Sequence, residues 1–250
     1  MAYAITKAIV IKTVNIGEAD KIITLLSADL GKIQVSARGA RRPRSNLVAG
    51  SQFLSYCEYV LYKGRDMYVL NSCNTIESFY NIRNDVVKLT YASHMVELLN
   101  DVTQENMQCV DILRLFLNAL HCLANTDKPP ELVTRVFELR LLALSGYAPQ
   151  VHVCADCGKG IDLFDTFTFD FEKCGFVCPE CANGVKSEMQ LSKGAARAIF
   201  YIVHSPEKTL FNFELAPNVL SQLAAFNERY IKDRLEKEYN KLSFLKKLKK

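Results

Sequence analysis

No stretch of about 18 or more apolar residues occurs among the 250 of this chain, so no transmembrane helix is expected. The opening "MAYAITKAIVIKTVN" lacks a basic head, an apolar centre and a small-residue cleavage site, and no signal peptide is expected. No G-x4-G-K-[ST] stretch and no H-E-x-x-H occurs. The zinc-deaminase pattern is also missing, because His152 leads into "HVC" and the proline lies inside "CPEC". The four histidines, His94, His121, His152 and His204, are far apart, and three fall in helical patterns. Asp162 and Asp165 read as solvated loop charges. With no catalytic constellation in view, the chain reads as a non-enzyme. A last absence is local: "SARGARRPRSNL", residues 36–47, carries four arginines between Arg38 and Arg44 and no acidic residue.

What is present bounds the answer further. A hydrophobic content of 49% suffices for a core, and the length suits two modest domains. The net charge of +4 is unevenly spread. Residues 1–80 carry 10 basic and 6 acidic side chains, residues 81–190 carry 9 and 15, and residues 191–250 carry 12 and 6. Two basic ends flank an acidic middle, a layout that bears on partners and not on fold.

Residues 5–76 read as strands. "ITKAIVIKTV" is rich in β-branched residues, and "DKIITLLS", the turn "ADLGK" and "IQVSAR" form a hairpin. Ile33, Val35 and Ala37 alternate with Lys32, Gln34, Ser36 and Arg38, which predicts one buried and one wet face. "SQFLSYCEYVLY", "KGRD" and "MYVLNSCNTI" form a second hairpin. Five strands in this length fit a five-stranded OB-fold barrel, with an SH3-like barrel not separated by pattern. From residue 81 the period becomes helical in "DVVKLTYASHMVELLNDV", "NMQCVDILRLFLNALHCLA" and "PELVTRVFELRLLALSGY". Pro130 suits a first turn, and Gly146 with Pro149 suits a stop. Helical patterns resume in "LSKGAARAIFYIVHS" and "APNVLSQLAAFNERYIKDRLEKEY". The expectation is an α+β multidomain chain: an OB-fold nucleic-acid-binding domain over 1–80, then an all-helical domain over 81–250 interrupted by a metal module at 150–187.

Five of the nine cysteines lie between Cys154 and Cys181. Cys154 with Cys157, and Cys178 with Cys181, make two C-x2-C knuckles separated by twenty residues. Two such knuckles close a sulfur tetrahedron, and four thiolates leave no open position for water, so one structural zinc is expected. Gly158 lets the backbone approach the sulfurs. Cys174 could replace Cys178 but reads better as a spare thiol, and His152 is a weaker ligand candidate. Cys57, Cys73, Cys109 and Cys122 sit in apolar patterns and read as small core residues.

The arginine loop suits phosphate. Arg38, Arg41, Arg42 and Arg44 offer bidentate forks, and Lys32 shares a strand face with Arg38, extending the basic surface. If Phe53, Cys57, Tyr59 and Leu61 fill the core, Tyr56 and Tyr62 face outward as candidates for base stacking. Each feature has a plainer reading: a solvated loop, packing tyrosines, and a solvated C-terminal tail in "LKKLKK". A basic loop gripping an acidic protein tail would make the chain an interaction scaffold, and an RNA-binding barrel factor is a further alternative.

Taken in order, "GARRPRS", "FELRLLALSGYAP", "CADCGK", "FDFEKCGFVCPEC" and "LSKGAARAIFYI" resemble the bacterial RecO recombination mediators along nearly the whole chain. Cys174 departs from the pattern, where glycine or another small residue is expected. The resemblance implies binding of single- and double-stranded DNA and annealing of complementary strands. It implies partnership with RecR and with the acidic C-terminal tail of single-stranded DNA-binding protein, and through them the loading of RecA. It places the protein in the cytoplasm, at the nucleoid. It also implies that the zinc supports fold more than function, since some relatives lack the cysteines.

Overall fold

A computed structural model describes residues 3–163, 166–243 and 245. Asp165 and most of the lysine-rich tail lie outside the described residues. The chain divides into two compact units, Met1–Ala92 with Val96–Ala124, and Ser93–Met95 with Asn125–Lys250.

In the first unit, five strands form a closed barrel: β1 (Tyr3–Ile16), β2 (Asp20–Ser27), β3 (Gly31–Ala37), β4 (Tyr56–Lys63) and β5 (Tyr68–Glu77), in the order β1-β2-β3-β5-β4. The OB-like barrel expected from the alternating patterns is therefore present. β1 serves two neighbours, pairing β4 through Tyr3–Ile9 and β2 through Ala8–Ile16. A register shift between Val10 and Lys12 bends it between them, as bulges do in small barrels. Closure comes from a short parallel contact, Val35 with Tyr68 and Ser36 with Val69.

The core is filled by Ala8, Val10, Ile23, Leu25, Ile33, Val35, Cys57, Tyr59, Leu61 and Leu70. Tyr59 is the bulkiest of these, and its buried hydroxyl donates to Gly50 O at 2.7 Å. A Cβ on Gly50 would lie 2.3 Å from Cys73 Sγ, so a larger residue there would require Cys73 to move. Cys57 and Cys109 are buried, whereas Cys73 and Cys122 are half-buried.

Next come α1 (Tyr80–Arg83), α2 (Val86–Val102) and α3 (Val110–Asn125). Asp85 caps α2, accepting from Val87 N at 2.8 Å and Lys88 N at 3.0 Å. The helical period of the sequence begins at Asn106, but α3 starts at Val110. Asn106 instead takes a left-handed φ of 59° and donates its amide to Lys32 O. Docking against β3 thus overrides local helix preference.

The second unit packs α4 (Pro130–Leu144), α5 (Lys193–His204) and α6 (Pro217–Leu235) around a three-stranded sheet of β6 (Phe167–Asp170), β7 (Gly175–Val177) and β8 (Glu188–Leu191). Pro130 opens α4 as its spacing suggests. The sheet is an addition to the helical expectation, because strands of three and four residues are too short to show a period. Phe169 joins sheet to helices, with rings of Phe226, Phe171, Phe176 and Tyr230 at 4.8–5.8 Å.

A buried ion network lies beside them. Arg135 (2% exposed) meets Glu138 (0%) at 3.1 Å, His94 Nε2 lies 2.7 Å from Glu138 Oε1, and Asn227 Nδ2 donates to Glu138 Oε2 at 2.9 Å. Burial alone would raise the Glu138 carboxyl, but the Arg135 guanidinium and the bonds from His94 and Asn227 outweigh it and hold it at about 2. Because the folded value lies below the ordinary 4.5, the carboxylate stabilises the fold above that pH. Its contribution should fade as pH falls from about 4.5 toward 2. Glu138→Ala leaves Arg135 with Glu228 at 2.8 Å but removes the carboxylate from its Nη1, from His94 and from Asn227, and should cost about 3 kcal/mol in denaturant unfolding at neutral pH. The mutant's stability should also depend less on pH across that window.

Candidate nucleic-acid interface and metal centre

β3 presents its two faces as its alternation predicts. Ile33, Val35 and Ala37 are buried, whereas Lys32 and Ser36 are half-exposed and Gln34 and Arg38 exposed. Lys32 to Arg38 therefore forms an outward row about 20 Å long. The arginine loop continues it through successive tight turns, with Arg42 N bonded to Gly39 O and Ser45 N to Arg42 O, each at 3.0 Å. Two backbone amides of the loop bond to the β1–β2 connection: Gly39 N donates to Asp20 Oδ1 at 2.7 Å, and Arg41 N to Ala19 O at 2.9 Å.

The cations then divide. Arg41 Nη1 donates to Gly17 O at 2.6 Å, and Lys32 Nζ to Asn100 O at 2.7 Å, so both help hold the structure. Arg38, Arg42 and Arg44 are exposed, and among the described residues no hydrogen bond or ion pair engages their side chains. Lys32 and Gln34 also line a groove of about 460 Å³ with Lys63 at the end of β4 and Arg65 in the β4–β5 turn, where Asp66 and Glu105 add two carboxylates. That turn and the β2–β3 face form the side on which OB-folds hold oligonucleotides. Sequence reasoning passed over Lys63 and Arg65, although "KGRD" places two cations within four residues.

The tyrosines are placed differently from each other. Cys57, Tyr59 and Leu61 point inward, leaving Tyr56 and Tyr62 half-buried on the outer face of β4. Val69 pairs with Ser36 on one side and with Tyr62 on the other, which puts Tyr62 two strands, about 10 Å, from the cationic row. Its ring centroid lies 6.1 Å from that of Tyr3, which is 60% exposed. Tyr56 lies at the opposite end of β4, about 20 Å away, paired with Ile9 and Glu77.

In the second unit, Cys154, Cys157, Cys178 and Cys181 bring their sulfurs within 4.8 Å of one another. A tetrahedral zinc at ordinary Zn–S lengths needs sulfurs about 3.8 Å apart. Cys157 and Cys178 lie at 3.7 Å, so the four can hold a metal ion, and an all-thiolate set is compatible with zinc. The first knuckle is stitched to β7: Phe176 N donates to Gln150 O at 3.0 Å, and Ala155 N to Phe176 O at 2.8 Å. A Cβ on Gly175 would lie 2.7 Å from Gln150 O, so this seam requires glycine. Burial raises the Cys154 thiol, but the amides of Cys157, Cys178 and Asp156 outweigh it and bring it down to about 6, favouring a thiolate.

Cys174 is not among the four. Its φ of 55° is left-handed, and Arg234 donates to its sulfur. That backbone explains why a glycine would suit the position. His152 is likewise outside the cluster, with its ring 5.9 Å from that of His204. Cys178→Ser should reduce bound metal, read by elemental analysis, and lower the melting temperature by about 10 °C. Cys174→Gly should leave the metal content at that of the wild type.

Comparison with known proteins agrees with this architecture. Residues 1–79 match the model "Recombination protein O N terminal", and residues 83–243 match "Recombination protein O C terminal". The DNA repair protein RecO of Acetivibrio thermocellus is 53% identical, over 99% of this chain and 98% of that protein. RecO of Caldicellulosiruptor saccharolyticus is 36% identical over 98% of this chain and 99% of that protein. RecO of Alkaliphilus metalliredigens is 30% identical over 97% and 98%. With both halves matched and full-length relatives this similar, the chain belongs to the RecO family of DNA repair proteins.

Proposed function

We propose that this protein is a non-enzymatic recombination mediator that binds single- and double-stranded DNA and anneals complementary strands. In this reading residues 1–80 are the principal DNA-binding domain. The partners are RecR and the acidic tail of single-stranded DNA-binding protein, and the outcome is loading of RecA in the cytoplasm, at the nucleoid. Residues 81–250 carry the helices and one structural zinc on the four clustered cysteines.

The observation that carries the DNA reading is the set of guanidiniums on Arg38, Arg42 and Arg44 that have no partner among the described residues, continuous with the outward row of β3. Forks without internal partners are available to phosphate oxygens. Tyr62, with Tyr3 beside it, offers an aromatic surface two strands away for unstacked bases. Annealing follows from electrostatics. Two strands repel each other, cationic surfaces hold both at close range, and the raised effective concentration lets pairing proceed downhill without a nucleotide cofactor.

The test is fluorescence anisotropy with a labelled single-stranded oligonucleotide across a salt series. Replacing Arg38, Arg42 and Arg44 by alanine should weaken binding at least about tenfold and flatten the salt slope by about two units. Arg41→Ala should show instead in thermal stability, since it loses a structural bond. An unchanged slope in the triple variant overturns the loop assignment. Preference for an RNA oligonucleotide in competition would favour an RNA-binding factor.

A further inference from the structure

Helix α5 is amphipathic in an unusual way. Ala195, Ala196, Ile199, Ile202 and Val203 are buried on one side. Lys193, Arg197, Phe200 and His204, at spacings i, i+4, i+7 and i+11, form an exposed stripe about 16 Å long on the other. Phe200 is 38% exposed and packs against His204 with ring centroids 4.8 Å apart. The stripe borders a cavity of about 390 Å³ lined by Lys193, Arg197, Phe200, His152 and Phe167, with Asp162 the one carboxylate among the described residues of that lining.

The two cations are set apart from most others in this unit. Arg135, Arg140, Arg229 and Arg234 are bonded to carboxylates or carbonyls. No hydrogen bond or ion pair among the described residues engages the side chain of Lys193 or Arg197. Lys193 also sits in the first turn of α5, which holds no acidic residue, so the helix field opposes its charge rather than favouring it. An exposed phenyl ring beside two unengaged cations, at a cavity walled by further aromatic rings, matches the chemistry of a nucleotide unit. A base takes the ring face, and the flanking phosphates take the cations.

We propose that this face of α5 is a second contact for single-stranded nucleic acid, with Phe200 stacking on a base and Lys193 and Arg197 holding adjacent phosphates. It rests on the reading that the protein binds DNA, and it gives that reading a second cationic surface outside the barrel. The chain contains no tryptophan, so Phe200→Trp places a single reporter at the site in the full-length protein.

An oligo-dT titration should quench that tryptophan, and raising the salt should reverse the quenching. Adding Lys193→Ala and Arg197→Ala to the reporter should weaken the quenching at least about fivefold. In the otherwise wild-type chain the same pair should flatten the anisotropy salt slope by about 1.4 units. Two results overturn this site alone. One is an oligonucleotide that binds by anisotropy and leaves the tryptophan unchanged. The other is quenching by a poly-glutamate peptide and not by oligo-dT, which would assign the face to an acidic protein segment. Quenching that survives the triple arginine variant of the barrel loop would separate this site from that one. An oligonucleotide that fails to bind the wild type at all overturns both.

Discussion

Two residue pairs, Val35 with Tyr68 and Ser36 with Val69, close the barrel by joining β3 to β5 in parallel. Parallel closure is a non-local contact whose loop entropy is repaid only once the interior fills. It removes two sheet edges that would otherwise be open to other chains. It also sets the proposed DNA surface. β5 is the single strand between the cationic row of β3 and Tyr62 of β4, and the end of β4 and the turn before β5 bring Lys63 and Arg65 to the groove beside Lys32. A shift of this register by one residue would turn Tyr62 and the cationic row to different faces.

In both units, pairing separates cations that build from cations available for recognition. Arg41 is tied to Gly17 O, and Arg135 sits in a buried network with Glu138. These define shape, and their loss should appear first in stability. Arg38, Arg42 and Arg44 on the barrel, and Lys193 and Arg197 on α5, have no such commitments among the described residues. The four-cysteine cluster belongs with the first group: its sulfurs face one another, stitched to β7 by backbone bonds, and they offer nothing to a passing strand.

Much of this was legible in the sequence where a period or a fixed spacing exists. The alternation in residues 32–38 gave the correct inward and outward faces of β3, and that in 57–61 did so for β4. The two C-x2-C knuckles identified the clustered cysteines without help from the fold. The strand order was only inferable from strand count, because a pairing between β3 and β5 leaves no local trace. The delayed start of α3 depends on Asn106 docking against Lys32, a tertiary effect that outweighs helical period. The small sheet was too short to show a pattern. The division of the arginines into Arg41 and the rest depends on which carbonyl lies within reach, and composition carries no record of that.

The central claim is that the β3 row and its loop lie against a DNA backbone. Photocrosslinking with a single-stranded oligonucleotide carrying photoreactive bases, followed by peptide mapping, tests it most directly. The account predicts crosslinked peptides spanning residues 32–44 and the Tyr62 region of β4. Crosslinks that avoid the barrel altogether, under conditions where the oligonucleotide is bound, would contradict it.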